Sequence, residues 1–474
     1  MNVQKETPLY DALIKNKQKS PLSFHVPGHK YGQVFPEKAK YTYEALLSID
    51  ATEITGLDDL HAPDSVIKKA QKLASLYFES DATSFLVNGT TVGNMAMVLS
   101  VCNRGDEVIV QRNCHKSVMN GLELAGAKPV FLSSEYEEAT GRYSKVTAES
   151  VRKGITEHPN AKAVFLTYPD YFGRTYPIKD IIDVAHAHDL PLLVDEAHGV
   201  HFHLGSPFPY PSLKEGADAV VQSAHKMAPA MTMASFIHIK GNRVNKEKLN
   251  HYLQILQSSS PSYPLMASLD LARYYLANWD DKKGVFKFIE DIRTYFKRYH
   301  DFWDVLPLTH YDDPLKMTLS VKRGSGFEVA QALEDSSIVP EMATTNQVLL
   351  TFGLEPAFDK EVLKERLSSV YFQLKNLPER ATIKQDDFSL PSIQTLEMSY
   401  PEMQEIPSYD VNWKDAVGLI AAEAVIPYPP GIPLLMKGER ISKKHIELVR
   451  SLQGQGAKFQ NGNIAHGIRV FKGE

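Results

Sequence analysis

Leu192-Leu193-Val194-Asp195-Glu196-Ala197-His198 is an aliphatic run that stops abruptly in two acids, a small residue and an imidazole. Apolar residues in succession suit a strand covered on both faces, the kind found in parallel sheets between layers of helices. Sheets of that kind bind ligands beyond the carboxyl ends of their strands, and Asp195 stands at such an end. Two other apolar runs end in the same way: Ala219-Val220-Val221-Gln222 leads into Ser223-Ala224-His225-Lys226, and the run at 84–87 leads into Asn88-Gly89-Thr90-Thr91.

Around these three ends the chain alternates β-rich runs with helical patterns. Strands are predicted at 84–87, 107–111, 129–132, 163–168, 190–194 and 217–222, and helices at 91–101, 116–125, 148–156 and 178–187. The predicted fold class is α/β, with a mostly parallel central sheet and helices on both faces. A helix is expected to start after Asp64, where Val66, Ala70, Leu73 and Tyr77 recur at helical spacing. Residues 1–60 read as an arm with a short helical pattern at 9–14, 61–305 as the large domain and 306–474 as a smaller α+β domain. In the last of these, Met317, Leu319 and Val321 alternate with polar residues as in a half-exposed strand, followed by a helix at 327–333, a strand at 348–352 and a helix at 361–374. The polar, proline-bearing stretch 378–407 reads as a linker or long loop.

At 474 residues the chain has room for two or three domains. A net charge of −5 carries no electrostatic footprint for nucleic acid, so none is expected as a partner. Two cysteines, Cys102 and Cys114, are too few for a disulfide framework, and no export signal or membrane-spanning run is seen, so a cytoplasmic setting is expected.

The residues at the strand ends are those needed to hold pyridoxal phosphate. Lys226, 31 positions after Asp195, offers an imine-forming amine. Asp195 offers a carboxylate to keep a pyridinium nitrogen protonated, although an aspartate at a strand end also serves as a helix cap. Gly89 allows close backbone approach, and Thr90 and Thr91 present hydroxyls and amides at a helix start, a natural phosphate site. Ser223 and His225 can join that phosphate. His115, at another strand end, offers a ring to stack on the pyridine, with Ala197 small enough to lie against the opposite face. Histidines in such positions also simply bond to backbone.

These stretches resemble the Orn/Lys/Arg decarboxylases, pyridoxal-phosphate enzymes of the aspartate aminotransferase fold (fold type I). The resemblance rests on His25-Val26-Pro27-Gly28-His29-Lys30, Gly56-Leu57-Asp58-Asp59-Leu60-His61, Asn88-Gly89-Thr90-Thr91 and Arg112-Asn113-Cys114-His115-Lys116-Ser117. It continues through Asp195-Glu196-Ala197-His198-Gly199, Gln222-Ser223-Ala224-His225-Lys226, Ser258-Ser259-Ser260-Pro261-Ser262-Tyr263 and Pro427-Tyr428-Pro429-Pro430-Gly431-Ile432-Pro433 with Gly438-Glu439. It implies that Lys226, Asp195 and His115 are catalytic, and that Gly89, Thr90, Thr91, Ala197, His198, Ser223 and His225 surround the cofactor. It further implies that Ser259 is lent to the phosphate by a neighbouring subunit, so that a homodimer carries its sites at the subunit interface. Long bacterial members have an N-terminal receiver-like wing that mediates higher assembly; this chain shows none, so dimers or pairs of dimers are expected rather than decamers.

The implied reaction is decarboxylation of a basic amino acid, giving carbon dioxide and a polyamine-type amine. Arginine is preferred because it is a common substrate of short members, with lysine and ornithine left open. A basic side chain needs acidic partners, and Glu53, Asp58, Asp59 and Glu439 are the candidates, each equally at home as a surface charge or a turn residue. Three other readings stand beside this one, among them a catalytically silent regulator that binds the cofactor yet releases no product. An aminotransferase or acyl-transferring synthase would use the same cofactor, the Asp-Glu-Ala-His stretch occurring in the latter. A metal-dependent hydrolase is suggested by His198, His201 and His203 with His25 and His29, but no His-Glu-x-x-His pattern occurs and no metal is expected.

Overall fold

A computed structural model describes residues 3–375, 391–427, 432–454, 456–462 and 464–472. The chain forms two compact units, residues 1–101 with 189–280, and residues 102–188 with 281–474.

The first unit is built on the strands Ala82–Leu86, Ser235–Ile239, Ala219–Gln222 and Leu192–Asp195, in that order. The last two are parallel, with Asp195 opposite Val221. Ser235–Ile239 runs antiparallel to both its neighbours. Every residue of Leu192–Asp195 and Ala219–Gln222 is buried, as their unbroken apolar sequences require. The helix Gly89–Val101 crosses this sheet at very short range: a Cβ placed on Gly93 would lie 2.5 Å from Val221 and 2.8 Å from Leu86. Only glycine permits that approach.

Residues 1–60 hold more structure than an arm. A helix spans Pro8–Gln18, longer than the predicted 9–14, and buries Leu9 and Leu13. The Leu9 amide donates to Asp270 Oδ2 at 3.0 Å, and the fully buried Asp270–Arg273 ion pair reaches back to the carbonyls of Gln4 and Glu6. A second helix, Glu37–Leu47, has Leu47 as its sole buried residue; it is not among the expected elements, although Ala39, Tyr43, Leu46 and Leu47 recur at helical spacing. The helix expected after Asp64 runs Val66–Phe78; neither Asp64 nor the N-cap residue Ser65 caps it with a side chain, Asp58 accepting from its first amides instead.

In the second unit, Val164–Thr167, Glu107–Gln111 and Lys128–Leu132 form parallel neighbours. Ile393–Thr395 adds an antiparallel edge to Lys128–Leu132. That strand, and the helix Tyr400–Glu405, lie inside the stretch read as a linker, while its residues 378–390 fall outside the described residues. Three residues of alternation are too few to register as a strand against scattered prolines. The smaller sheet, in the order Trp303–Val305, Lys316–Val321, Gln347–Thr351 and Met342–Ala343, is antiparallel throughout and carries the helices Gly326–Asp335 and Lys360–Leu374. Lys316–Val321 is not half-exposed as its alternation suggests: Lys316 and Thr318 are buried as well, Lys316 Nζ donating to Thr351 Oγ1 at 3.0 Å. A final ladder pairs Ser408–Asn412 with Gly467–Phe471 over a core that includes Trp413, Ala421, Val425, Leu435 and Ile441. Among the described residues no helix is long and apolar enough to cross a membrane.

Candidate functional site

In the first unit the strand ends singled out by the sequence come together. Gly89 turns the chain from strand into helix with φ +73°, the left-handed region that favours glycine, and nothing lies within 4 Å of where its Cβ would be. Its amide donates to the Met233 carbonyl at 2.9 Å. The following residues open a 13-residue helix, whose first amides and dipole favour an anion. Thr90 Oγ1 lies 3.1 Å from Ser223 Oγ, both buried, while Thr91 is exposed. Two hydroxyls, a glycine open on its Cβ side and a helix start make a donor set that suits a phosphate.

Asp195 is 4% exposed and is held at both oxygens. Oδ2 accepts from Asn94 Nδ2 at 2.8 Å and Oδ1 from the Ala197 amide at 3.2 Å. Asn94 escaped the sequence reading, yet it is the fully buried polar residue one helical turn after Thr90, a spacing that places both on one helix face. A buried carboxylate aimed by a side-chain amide suits a protonated ring nitrogen. Ala197 is buried, and its carbonyl accepts from the Ser223 amide at 3.3 Å.

Lys226 sits on the short helix Ala224–Met227, half-buried, with Nζ 3.0 Å from Nε2 of the buried His198. His225 behaves differently from the phosphate donor expected. Burial pushes its imidazole below the ordinary histidine range, and Nδ1 lies 3.1 Å from the Ala234 carbonyl. With that nitrogen donating, a neutral His225 has only a lone pair at Nε2, and it would have to take up a proton to donate there.

The acids proposed for a basic side chain do not share one environment. Asp58 accepts backbone N–H groups from Asp59, Asp64, Ser65, Ile67 and Lys68 at 2.8–3.2 Å, anchoring the start of the helix Val66–Phe78. Its carboxylate is used up by the fold. Burial pushes its pKa up, but the donated backbone bonds outweigh burial and hold it below the usual carboxylate range. Asp59 Oδ1 accepts from the His61 amide at 2.8 Å, and Glu53 is exposed. The stretch 56–61 is tied to 258–263 by the Tyr263 hydroxyl donating to the Asp58 carbonyl and by His61 Nε2 lying 2.8 Å from the Ser258 carbonyl. Ser259 in that second stretch is exposed.

Two candidates belong to the second unit. His115 caps the helix Lys116–Ala125, its Nδ1 accepting from the Ser117 amide at 3.2 Å and lying 2.8 Å from the Ser117 hydroxyl. Glu439 pairs with Arg112 at 2.9 Å and accepts from the Met436 amide at 2.8 Å, so it too is occupied locally. Tyr428 to Gly431, part of the stretch before it, lie outside the described residues.

The histidines that suggested a metal go separate ways. His198 turns to Lys226, His203 Nε2 lies 3.0 Å from the Phe78 carbonyl, and His201 packs edge-on against Phe202 and Phe208. His29 pairs with Asp50 and His25 lies beside Tyr31. Among the described residues no three His, Cys, Asp or Glu side chains gather as a metal would need.

Comparison with known proteins gives the family and the fold. Residues 7–309 match the model of the Orn/Lys/Arg decarboxylase major domain, and residues 393–461 that of the Orn/Lys/Arg decarboxylase C-terminal domain. The chain is 42% identical to the Bacillus subtilis protein named "Uncharacterized protein YaaO", over 97% of this chain and 96% of that one. It is 35% identical to a Bacillus subtilis protein named arginine decarboxylase, over 99% and 98% of the two chains. Among solved structures, the Francisella novicida lysine decarboxylase LdcF shares the fold with a TM-score of 0.82 at 20% identity, over 98% of this chain and 81% of that one. The α/β fold with its mostly parallel sheet, the match across both domains and the near full-length relatives together make this chain a member of the Orn/Lys/Arg decarboxylase family.

Proposed function

We propose that the chain is a pyridoxal-phosphate-dependent carboxy-lyase that releases carbon dioxide from a basic amino acid, arginine first, with lysine and ornithine as the alternatives. The observation that carries this reading is that neighbouring parallel strands end in a buried carboxylate held by Asn94 and in an amine held by His198, beside the Thr90–Ser223 hydroxyl pair. The preference for arginine is supported by the name of the relative that is 35% identical over nearly its whole length. An aminotransferase or acyl-transferring synthase loses its ground with family membership.

Bound pyridoxal phosphate supplies an electron sink for the bond broken at the substrate Cα. Lys226 would tether it, Asp195 would hold a proton at its ring nitrogen, and Thr90, Thr91 and Ser223 would hold the phosphate. His198, with Nε2 3.0 Å from the Lys226 amine, would keep it in place, and Ala197 would leave room for a flat ring. His115 is proposed to stack on that ring, and His225 to join the phosphate once protonated. With Asp58 and Glu439 committed to local structure, Glu53 and Asp59 are the acids left for the substrate's basic end.

The rest of the proposal concerns the assembly. Two copies would form a homodimer in which Ser259, exposed on one copy, reaches the phosphate site of the other. The enzyme would work in the cytoplasm and supply a polyamine-type amine. Of the proposed division into 1–60, 61–305 and 306–474, the last boundary is supported by the major-domain match, which begins at residue 7, runs through the first boundary and ends at residue 309.

The test is release of carbon dioxide from arginine, lysine and ornithine by purified protein loaded with pyridoxal phosphate, with no keto acid or acyl thioester added. Turnover of at least one of the three is expected, with arginine fastest. Absence of release, or strict dependence on a keto acid or acyl thioester, overturns the proposal.

A further inference from the structure

Glu196, between Asp195 and Ala197, is fully buried and takes no part in the chemistry described above. One carboxylate oxygen accepts from the Ser212 amide at 2.7 Å and from the Ser212 hydroxyl. The other accepts from Gln222 Nε2 at 2.6 Å. Gln222 Oε1 lies 3.1 Å from His238 Nε2, His238 Nδ1 lies 2.8 Å from Thr83 Oγ1, and Thr83 Oγ1 lies 2.8 Å from Ser80 Oγ. Ser212, Gln222 and His238 are fully buried, and Thr83 is 5% exposed. The line crosses three neighbouring strands, Thr83 standing opposite His238 in the ladder.

With Glu196 ionised, donor and acceptor rules leave this line a single direction. An ionised carboxylate only accepts, so Gln222 must turn its NH2 toward Glu196. Its carbonyl then faces His238, which must carry its proton on Nε2. Burial pushes the His238 pKa well below the ordinary range, so the ring is neutral and Nδ1 is a lone pair. Thr83 therefore donates to His238 and accepts from Ser80. Every proton points toward Glu196. Burial pushes the Glu196 carboxyl up to about 7, while the bonds donated by Ser212 and Gln222 pull the other way. Little slack remains around it: a Cβ on Gly199 would lie 2.6 Å from Glu196 Cγ and 3.0 Å from Phe202.

Both ends of the Glu196–Gln222 bond adjoin the proposed site, since Glu196 separates Asp195 from Ala197 and Gln222 precedes Ser223. The Glu196 amide donates to the Val221 carbonyl at 2.9 Å, so backbone and side chain join the same two strand ends. We infer that Glu196 is a positioning residue: the terminal acceptor of a one-way hydrogen-bond chain from Ser80 through Thr83, His238 and Gln222, it fixes how Asp195, His198 and Ser223 are presented to the cofactor. This rests on the function proposed above.

The chain and its role are tested separately. In Glu196→Gln the new amide must keep its carbonyl toward the Ser212 N–H, so its NH2 faces Gln222 and every later bond reverses. Nitrogen-15 NMR of histidine-labelled protein, recorded well above pH 7 so that wild-type Glu196 is ionised, should show His238 changing from the Nε2–H to the Nδ1–H tautomer; an unchanged tautomer overturns the one-way chain. Glu196→Leu leaves Ser212 and Gln222 without an acceptor. Its kcat should fall about tenfold or more with KM within about threefold, and its dissociation constant for pyridoxal phosphate, read from the absorbance of the bound cofactor, should rise about tenfold. Glu196→Gln, which satisfies the same groups by reversal, should stay within about threefold of wild type on both measures. Wild-type behaviour of Glu196→Leu, or equal losses in the two variants, overturns the positioning role. Should Glu196→Leu not fold, His238→Leu carries the same test from the neighbouring strands: falls in both kcat and cofactor affinity support the inference, and wild-type values overturn it. A wild-type protein that releases no carbon dioxide would remove the function proposed above while leaving the tautomer result standing.

Discussion

The side-chain nitrogen of Lys226 stands 3.0 Å from Nε2 of His198, an amine on one strand end facing an imidazole on the next. An ammonium there donates to a bare imidazole nitrogen, and a neutral amine can instead accept from its N–H. The amine is thereby held in one direction before any ligand arrives. Lys226→Ala is expected to abolish both the yellow colour of the loaded protein and its turnover, measured by visible absorbance and carbon dioxide release. A coloured, active variant would remove Lys226 from the tethering role.

Asp195 and Asn94 form the second such pair. Asp195→Asn should retain some cofactor but lose most activity, with kcat down about a hundredfold or more, because an amide cannot balance a positive ring nitrogen. Asn94→Ala keeps the charge and loses its orientation, so a smaller fall of about tenfold in kcat is expected, with the cofactor still bound. Steady-state kinetics set beside cofactor absorbance separate the two effects.

Asp58 should prove structural. Asp58→Ala strips the acceptor from five backbone amides and is expected to cost about 2–4 kcal/mol by chemical denaturation. Its substrate KM should stay within about twofold of wild type, whereas Asp59→Asn should raise KM for the basic substrate without comparable destabilisation. The reverse pattern would return Asp58 to the substrate.

Acid sensitivity can be traced to a buried histidine. Burial pushes His203 down from 6.5 to about 3, so between those values the unfolded chain binds a proton that the folded chain refuses. Stability from this group is complete above 6.5 and is lost as pH falls toward 3. Glu196, raised from 4.5 to about 7, acts in the opposite sense, its stabilising share fading as pH rises across that interval. The difference between wild type and His203→Gln isolates the histidine: unfolding free energy should depend on pH less steeply in the variant, by about one proton between pH 4 and 6. Equal slopes would show that His203 does not refuse the proton.

Much of this was legible because strand and helix periods differ. The strand at Glu107–Gln111 and the helices Lys116–Ala125 and Ile178–Ala187 coincide with their sequence patterns, and Asp195, Ser223 and Lys226 follow from where apolar runs stop. What stayed hidden depends on partners distant in the chain. Asn94 looks like any polar residue of a helix until Asp195, 101 positions away, is folded against it. Gln222 and His238 gain meaning only from strands that meet after folding. Asp58 misleads for the opposite reason, since an acid before a helix reads equally as ligand or cap, and only the five amides decide between them.

Gly93 carries a consequence for anyone who would redesign this protein. With 2.5 Å between its missing methyl and Val221, the height of the helix Gly89–Val101 above the sheet is set by a hydrogen atom rather than by a side chain that could be exchanged for a slightly different one. Alanine there would act as a wedge. It would lift Thr90 and Asn94 together, tilting an anion seat and an acid's clamp in a single movement, so the two cannot be tuned independently through that helix.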